Sequence, residues 1–211
     1  MNMQNVHIIE HPLVQHKISL LRDANTGTKE FRELVSETAT LMCYEATRDL
    51  PLKEVEIKTP RQYTKSKIIS GHKIALIPIL RGGLPMAEGI SQLIPTVRIG
   101  HVGAYREPST GETIKYYAKF PADIEERHAI IVDTMLATGG ASCLTASELK
   151  KCGVKSIKFM CLIASPEGIE KLTSAHPDVE IYCCCIDKGL DENNYIVPGL
   201  GDAGDRIFGT K

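Results

Sequence analysis

The stretch AIIVDTMLATGGAS, residues 129–142, decides how the chain is read. An apolar run ends in one carboxylate, Asp133. A short loop rich in glycine and threonine follows, and then a segment of helical character. In an open α/β sheet, ligands gather at the carboxyl ends of the strands. Residues 134–141 would wrap from such an end into a helix N-terminus, which offers unpaired N–H groups and the positive end of the helix dipole. Gly139 and Gly140 let the backbone approach an anion, and Thr138 and Ser142 add hydroxyl donors. That chemistry suits a phosphate monoester. Asp133 would repel a phosphate but is suited to accept hydrogen bonds from sugar hydroxyls, so the two together suggest a ribose 5-phosphate. On these residues alone a plain strand-to-helix turn stays open. The loop lacks the glycine–lysine ending of a Walker loop and the first glycine pair of a dinucleotide fingerprint.

Outward from this stretch, strand and helix alternate. KIALIPIL, residues 73–80, is the continuous apolar run of a strand covered on both faces. Residues 84–94 read as a helix and 97–104 as a strand. Strand 129–133 leads into helix 141–152, closed by Gly153. Strand 155–164, a helix over 166–175 started by Ser165 and Pro166, and strand 179–186 complete the rhythm. The expected fold is α/β, with a mainly parallel central sheet flanked by helices. Upstream, helices are expected over 12–21 and 28–49, with Phe31, Leu34, Val35, Thr38, Leu41 and Met42 at helical spacing. KEVEIK alternates like a half-exposed strand, and the basic stretch 58–73 reads as a solvated hairpin or loop. YREPSTGETIKYYAKF, residues 105–120, reads as a long exposed excursion. The tail YIVPGLGDAGDRIFGTK is too apolar for a disordered terminus and too glycine-rich for a helix.

Composition narrows the class. With 211 residues, 43% of them hydrophobic, the chain can bury a real core, and 5% aromatics with no Trp make that core aliphatic. A net charge of −1 argues against a protein built on nucleic-acid contacts. No apolar run is long enough to cross a bilayer, and the first residues lack a secretory pattern. Seven cysteines are an odd number without disulfide-framework spacing. Cys183, Cys184 and Cys185 are strand neighbours that face alternately, so they read as small apolar fillers and not as a joint metal site. A reducing cytoplasm fits them. None of the seven histidines sits in a triad-like setting, and His101 and His128 read as structural.

VDTMLATGG resembles the phosphoribosyl-pyrophosphate (PRPP) loop of type I phosphoribosyltransferases. HPLVQHK, YEATRDL, PILRGGLPM, SPEGIEKL, HPDVEIY and the tail follow in the order of the uracil phosphoribosyltransferase family, from His11 to Lys211. The tail is the most specific part. The resemblance implies one domain over residues 1–211: a core about 70–190, a uracil hood about 191–211, and N-terminal helices about 10–50 that complete the hood. It implies transfer of ribose 5-phosphate from PRPP to N1 of uracil. Asp133, Thr134, Met135, Leu136, Ala137, Thr138, Gly139, Gly140 and Ala141 match the PRPP loop. Arg81 matches the pyrophosphate-loop arginine, and Arg106 a second PRPP arginine at the base of a mobile loop. Ile196, Gly201, Asp202 and Ala203 match the uracil hood, with Asp202 also facing PRPP. Arg106 and Asp202 are the residues it points to for catalysis. Mg²⁺, carried mainly by PRPP, is the implied cofactor. A homo-oligomer, dimer or tetramer, is implied, and a GTP effector is an option for which the basic stretch 58–73 is the candidate.

Four positions depart from the family pattern. Thr134 stands where proline is usual, Gly82 and Pro85 where alanine and glycine are more frequent, and Ala141 where a hydroxyl residue is common. Ser142, one residue along, is the expected substitute donor. These changes are expected to tune PRPP affinity without abolishing turnover. Asp205–Arg206 reads as a local pair holding the tail. Two rival readings carry less weight: a PRPP-sensing regulator without catalysis, which would want a nucleic-acid-binding surface, and a purine transferase, which would want a different tail.

Overall fold

A computed structural model describes residues 3–71, 73–107 and 109–210. His72 of the basic stretch, Pro108 of the excursion and Lys211 of the tail lie outside the described residues. The elements run β1 (Val6–Ile8), α1 (Pro12–Arg22), α2 (Thr28–Ala46), β2 (Leu52–Lys58), β3 (Tyr63–Ile69), β4 (Ile74–Leu80), α3 (Leu84–Leu93), β5 (Arg98–Ile99), β6 (His101–Arg106) and β7 (Thr113–Lys119). They continue with β8 (His128–Val132), β9 (Met135–Leu136), α4 (Gly140–Lys151), β10 (Ser156–Ala164), α5 (Pro166–Ala175), β11 (Glu180–Ile186), β12 (Gly189–Leu190), β13 (Ile196–Val197) and α6 (Ala203–Phe208).

Among the described residues, the central sheet has nine strands, ordered β1-β11-β10-β8-β4-β6-β7, with β5 on β4 and β9 on β10. Every pairing in it is parallel except β6 with β7. The chain leaves β4 toward β6 and later returns to place β8 on the other side of β4. The order therefore reverses between β4 and β8, and a crevice opens beyond the carboxyl ends of those two strands.

Alternation along the strands builds two cores. Ile74, Leu76, Ile130, Val132 and Cys184 pack on one face with α1, α2, α3 and α6. Ala75, Ile77, Ile79, Ile131, Cys161 and Cys183 pack on the other with α4 and α5. Adjacent Cys183 and Cys184 thus serve opposite cores, and all seven cysteines are free thiols. Burial pushes the Cys183 thiol up to about 12, which keeps it a neutral, apolar filler. Ser165 caps α5 as expected, its hydroxyl accepting from the Gly168 N–H at 2.9 Å.

Some expected elements are corrected, while the solvated hairpin of the basic stretch and the exposed excursion are found as expected. The second helix ends at Ala46, because Thr47 leaves helical geometry and its hydroxyl bonds back to the Cys43 carbonyl at 2.7 Å. The strand over 97–104 is broken at Gly100 into β5 and β6. A short strand, β1, joins the edge of the sheet on β11. The basic stretch pairs as β3 with β2 in an antiparallel hairpin, mostly exposed on both faces. The excursion is a second antiparallel hairpin, β6–β7, tied to α4 by an ion pair of Lys115 with Glu148. The tail does contain a helix, α6, despite its glycines. Asp202 caps it by accepting from the Asp205 N–H at 2.9 Å.

Asp205 and Arg206 are not a pair. Arg206 turns toward the α1–α2 connection, donating to the carbonyls of Leu200 at 2.9 Å and Asp23 at 2.6 Å, and to that of Leu21. Its guanidinium lies 4.2 Å from the centre of the Phe31 ring. Asp205 faces Arg81 instead. A second tie is the fork of Arg22 on Asp187, at 2.8 and 2.6 Å, with Arg22 also donating to the Gly199 carbonyl at 2.7 Å. The tail is thereby fastened over the N-terminal helices.

Candidate active site

The sheet's switch point carries a cavity of about 490 Å³. Its walls are the turn after β4 (Leu80, Arg81, Gly82), the loop from Asp133 to Ser142, Ala104 and Tyr105 of β6, Phe159 of β10, and Asp202 to Gly204 of the tail. Sequence segments far apart are therefore brought to one place, at the end of the sheet where ligand sites form.

The loop that opens α4 is built to receive an anion. Gly139 holds φ +74°, the left-handed conformation, and directs the chain into the helix. No side chain caps the helix. The first backbone bond of the helix is from the Cys143 N–H to the Gly139 carbonyl, at 3.0 Å. The N–H groups of Gly140, Ala141 and Ser142 are those that such a helix start leaves without an intrahelical acceptor. Ser142 does not replace a hydroxyl at position 141. It is buried, and its hydroxyl donates back to the Gly139 carbonyl at 3.0 Å.

Asp133 sits half-buried at the carboxyl end of β8, and one oxygen, Oδ1, accepts from the Thr134 N–H at 2.8 Å. Burial pushes its carboxyl up to about 7, against the opposing pull of hydrogen bonds from Thr134. Arg81 rims the cavity with an exposed guanidinium, 3.2 Å from Asp205 and 5.5 Å from the centre of the Phe208 ring. An exposed pair of this kind is weak and easily exchanged for a stronger anion. The Leu80–Arg81 peptide is cis.

Asp202 also lines a neighbouring cavity of about 650 Å³, with Gly201, Tyr195, Arg206 and the α1–α2 connection. Ala203 is buried on the first cavity's wall. Three of the named residues stand apart from that wall. Ile196 is buried beneath the tail, and Gly201 faces the second cavity. Arg106 folds back on its own hairpin, donating to the Gly111 carbonyl at 3.2 Å. Sequence reasoning missed Tyr105 and Phe159 as wall residues, and neither carried a local signal. His128 bonds through Nδ1 to the Ser156 hydroxyl at 2.8 Å, away from the cavity.

Comparison with known proteins decides the family. The family model described as uracil phosphoribosyltransferase matches residues 8–210. The chain belongs to the uracil phosphoribosyltransferase family.

Within that family it is 59% identical over 209 residues to the uracil phosphoribosyltransferase of Geobacillus sp. (strain WCH70), covering 99% of this chain and 100% of that one. The Bacillus pumilus (strain SAFR-032) uracil phosphoribosyltransferase is 57% identical over the same coverage. Among solved structures, the AQ2163 protein of Aquifex aeolicus superposes with a TM-score of 0.91 at 33% identity, over 96% of this chain and 97% of that one. An adenine phosphoribosyltransferase from Trypanosoma brucei, at 12% identity and a TM-score of 0.59 over 90% and 87%, shares the type I phosphoribosyltransferase fold. The expected fold class is therefore the one found. Among the described residues, no helix is long and apolar enough to cross a membrane.

Proposed function

We propose that this chain salvages pyrimidine by transferring the ribose 5-phosphate of PRPP to N1 of uracil, giving UMP and pyrophosphate. The C1–O bond to pyrophosphate breaks, the C1–N1 bond forms, and the N1 proton is released. The observation that carries the reading is the meeting of the Asp133–Ser142 loop and the glycine-rich tail around one cavity, in a chain that matches the family over nearly its whole length.

In this reading the start of α4 holds the 5-phosphate through its N–H groups. Asp133 accepts from the ribose hydroxyls. Arg81 leaves Asp205 for the pyrophosphate, whose charge grows as the C1–O bond breaks. Arg106 joins it when the β6–β7 hairpin closes and excludes water. Ile196, Gly201, Asp202 and Ala203 meet uracil. Its O2 and O4 acceptors and N3–H donor face backbone groups, and an amino group in place of O4 leaves donors opposed, which rejects cytosine. Asp202, which lines both cavities, is placed to orient the Mg²⁺–PRPP complex or to take the N1 proton. The two carboxylates on the cavity wall, Asp133 and Asp202, are hard oxygen donors of the kind that suits magnesium, which is held by one or two carboxylates together with substrate phosphates. When bound, the ion would neutralise pyrophosphate charge. Much of the rate comes from holding two reactants in line.

The chain is also read as one cytoplasmic domain that assembles as a dimer or tetramer, with GTP as an effector. Light scattering and a GTP titration of the rate test the last two.

UMP formation from uracil and PRPP with Mg²⁺, run beside cytosine and hypoxanthine, tests the function. Rapid turnover on uracil alone is expected. PRPP binding without turnover on any base overturns the reading and favours the regulator. Gly139→Ala tests the phosphate cradle. A left-handed alanine costs about 1–2 kcal/mol, and its Cβ would lie 2.9 Å from the Gly168 carbonyl oxygen. PRPP binding by calorimetry is expected to weaken about tenfold, with the KM for uracil little changed.

A further inference from the structure

Thr134 lines the active-site cavity yet is only 2% exposed. Its backbone is fixed by β10, its carbonyl accepting from the Leu162 N–H at 3.0 Å. Its own N–H stays out of the sheet and donates to Asp133 Oδ1 at 2.8 Å. Its hydroxyl oxygen faces residue 82 beside the same carboxylate oxygen. One residue therefore anchors the acid that faces the ribose through its N–H and sets a hydroxyl beside it.

Space for that hydroxyl exists because residue 82 has no side chain. A Cβ at Gly82 would stand 2.6 Å from Thr134 Oγ1 and 2.6 Å from Asp133 Oδ1. The next residue is pressed as closely, since a Cβ at Gly83 would meet the Val132 carbonyl oxygen at 2.2 Å. The turn after β4 and the turn after β8 are thus in contact across the switch point, with no room for a methyl group between them.

We infer that Thr134 is a positioning residue, and that with the bare backbone of Gly82 it fixes the Asp133 carboxylate in the orientation that receives the ribose hydroxyls of PRPP. The inference rests on the PRPP reading of the cavity. Oδ1 is anchored by the Thr134 N–H, so the carboxylate cannot turn about its side-chain torsions without losing that charge-assisted bond. Its remaining lone pairs are then held toward the cavity before substrate arrives. Gly82 and Thr134 act as one unit, because a side chain at 82 would displace both the hydroxyl and the carboxylate.

The test compares Thr134→Val, which keeps the shape and loses the hydroxyl, with Thr134→Ser, which keeps the hydroxyl. The expected result for Thr134→Val is a KM for PRPP raised about tenfold, with the KM for uracil and the melting temperature close to the parent's. Thr134→Ser should stay within about threefold of the parent. Gly82→Ala should raise the KM for PRPP at least as much, and adding Thr134→Ala to it should cost little more, because both damage one unit. An active parent with Thr134→Val unchanged, or with the Val and Ser variants equally impaired, overturns the inference while leaving the function intact. A parent that makes no UMP sinks the function instead. In that case crystal structures still decide: the Asp133 carboxylate should be turned in Thr134→Val and not in Thr134→Ser, and an unturned carboxylate in Thr134→Val overturns the inference.

Discussion

Replacing Asp133 with asparagine is expected to lower kcat/KM for PRPP by about 10²–10³, while raising stability in alkaline buffer. The activity loss follows from hydrogen-bond direction. A carboxylate accepts from both ribose hydroxyls, whereas an amide turns one N–H toward them and leaves a buried donor opposed, at about 3–4 kcal/mol for a pair to a charged group. The stability gain follows from linkage. Burial raises the Asp133 carboxyl from its ordinary value near 3.8 to about 7 in the folded protein. A group raised in the fold favours folding while protonated there. Its contribution is present in full below the unfolded value and is lost as pH rises through about 7. Above that pH the parent carries the cost of an ionised carboxylate in the cavity, and the asparagine variant does not. The cavity is open to solvent, which reduces the cost to about 1–2 kcal/mol, or roughly 3–6 °C in melting temperature for a chain of this length. Melting curves at pH 5 and pH 8.5 check the sign. The variant should exceed the parent by more at pH 8.5 than at pH 5, and the difference should close only below the unfolded value. Equal differences at both pH values would show that Asp133 does not titrate in this range.

Arg206→Ala is expected to have the second large effect, a loss of about 2–4 kcal/mol. Its guanidinium serves three carbonyls, those of Leu21, Asp23 and Leu200, and stacks on Phe31. Removing it leaves those acceptors and the ring face without their partner and unfastens α6 from the α1–α2 connection. The melting temperature should fall by about 5–10 °C. The KM for uracil should rise more than tenfold while that for PRPP changes little, because the tail loosens and the Asp133–Ser142 loop does not. Arg206→Lys should recover only part, since one ammonium cannot span three carbonyls as the planar fork does. A stable Arg206→Ala protein with an unchanged KM for uracil would show that the tail is held elsewhere.

Much of the fold was legible because its signals are local. KIALIPIL and AIIV are continuous apolar runs, and such runs are strands covered on both sides. Ser165–Pro166 and Gly139–Gly140 mark helix starts within a few residues of where they occur. The loop from Asp133 to Ala141 could be read as an anion cradle for the same reason, since a helix start, two glycines and a carboxylate are all within one short segment.

What the sequence by itself determined was therefore the alternation of elements, the parallel class of the sheet and the chemistry of one loop. The tertiary structure alone decided which strands are neighbours, and hence that the turn after β4 lies against the turn after β8, so that Gly82 makes room for Thr134. It also decided that the tail contains a helix. Intrinsic propensity opposes a helix among those glycines, but the Asp202 cap, the burial of Ala203 and Ile207, and the Arg206 contacts to a segment more than 180 positions away outweigh it. It placed Arg81 on Asp205, and Arg206 on the N-terminal helices, where adjacency in the sequence had suggested a pair. The division has one physical cause. Propensity, patterning and capping act over a few residues, whereas strand order, steric room and the partners of a charged side chain depend on contacts that exist only once distant segments have met.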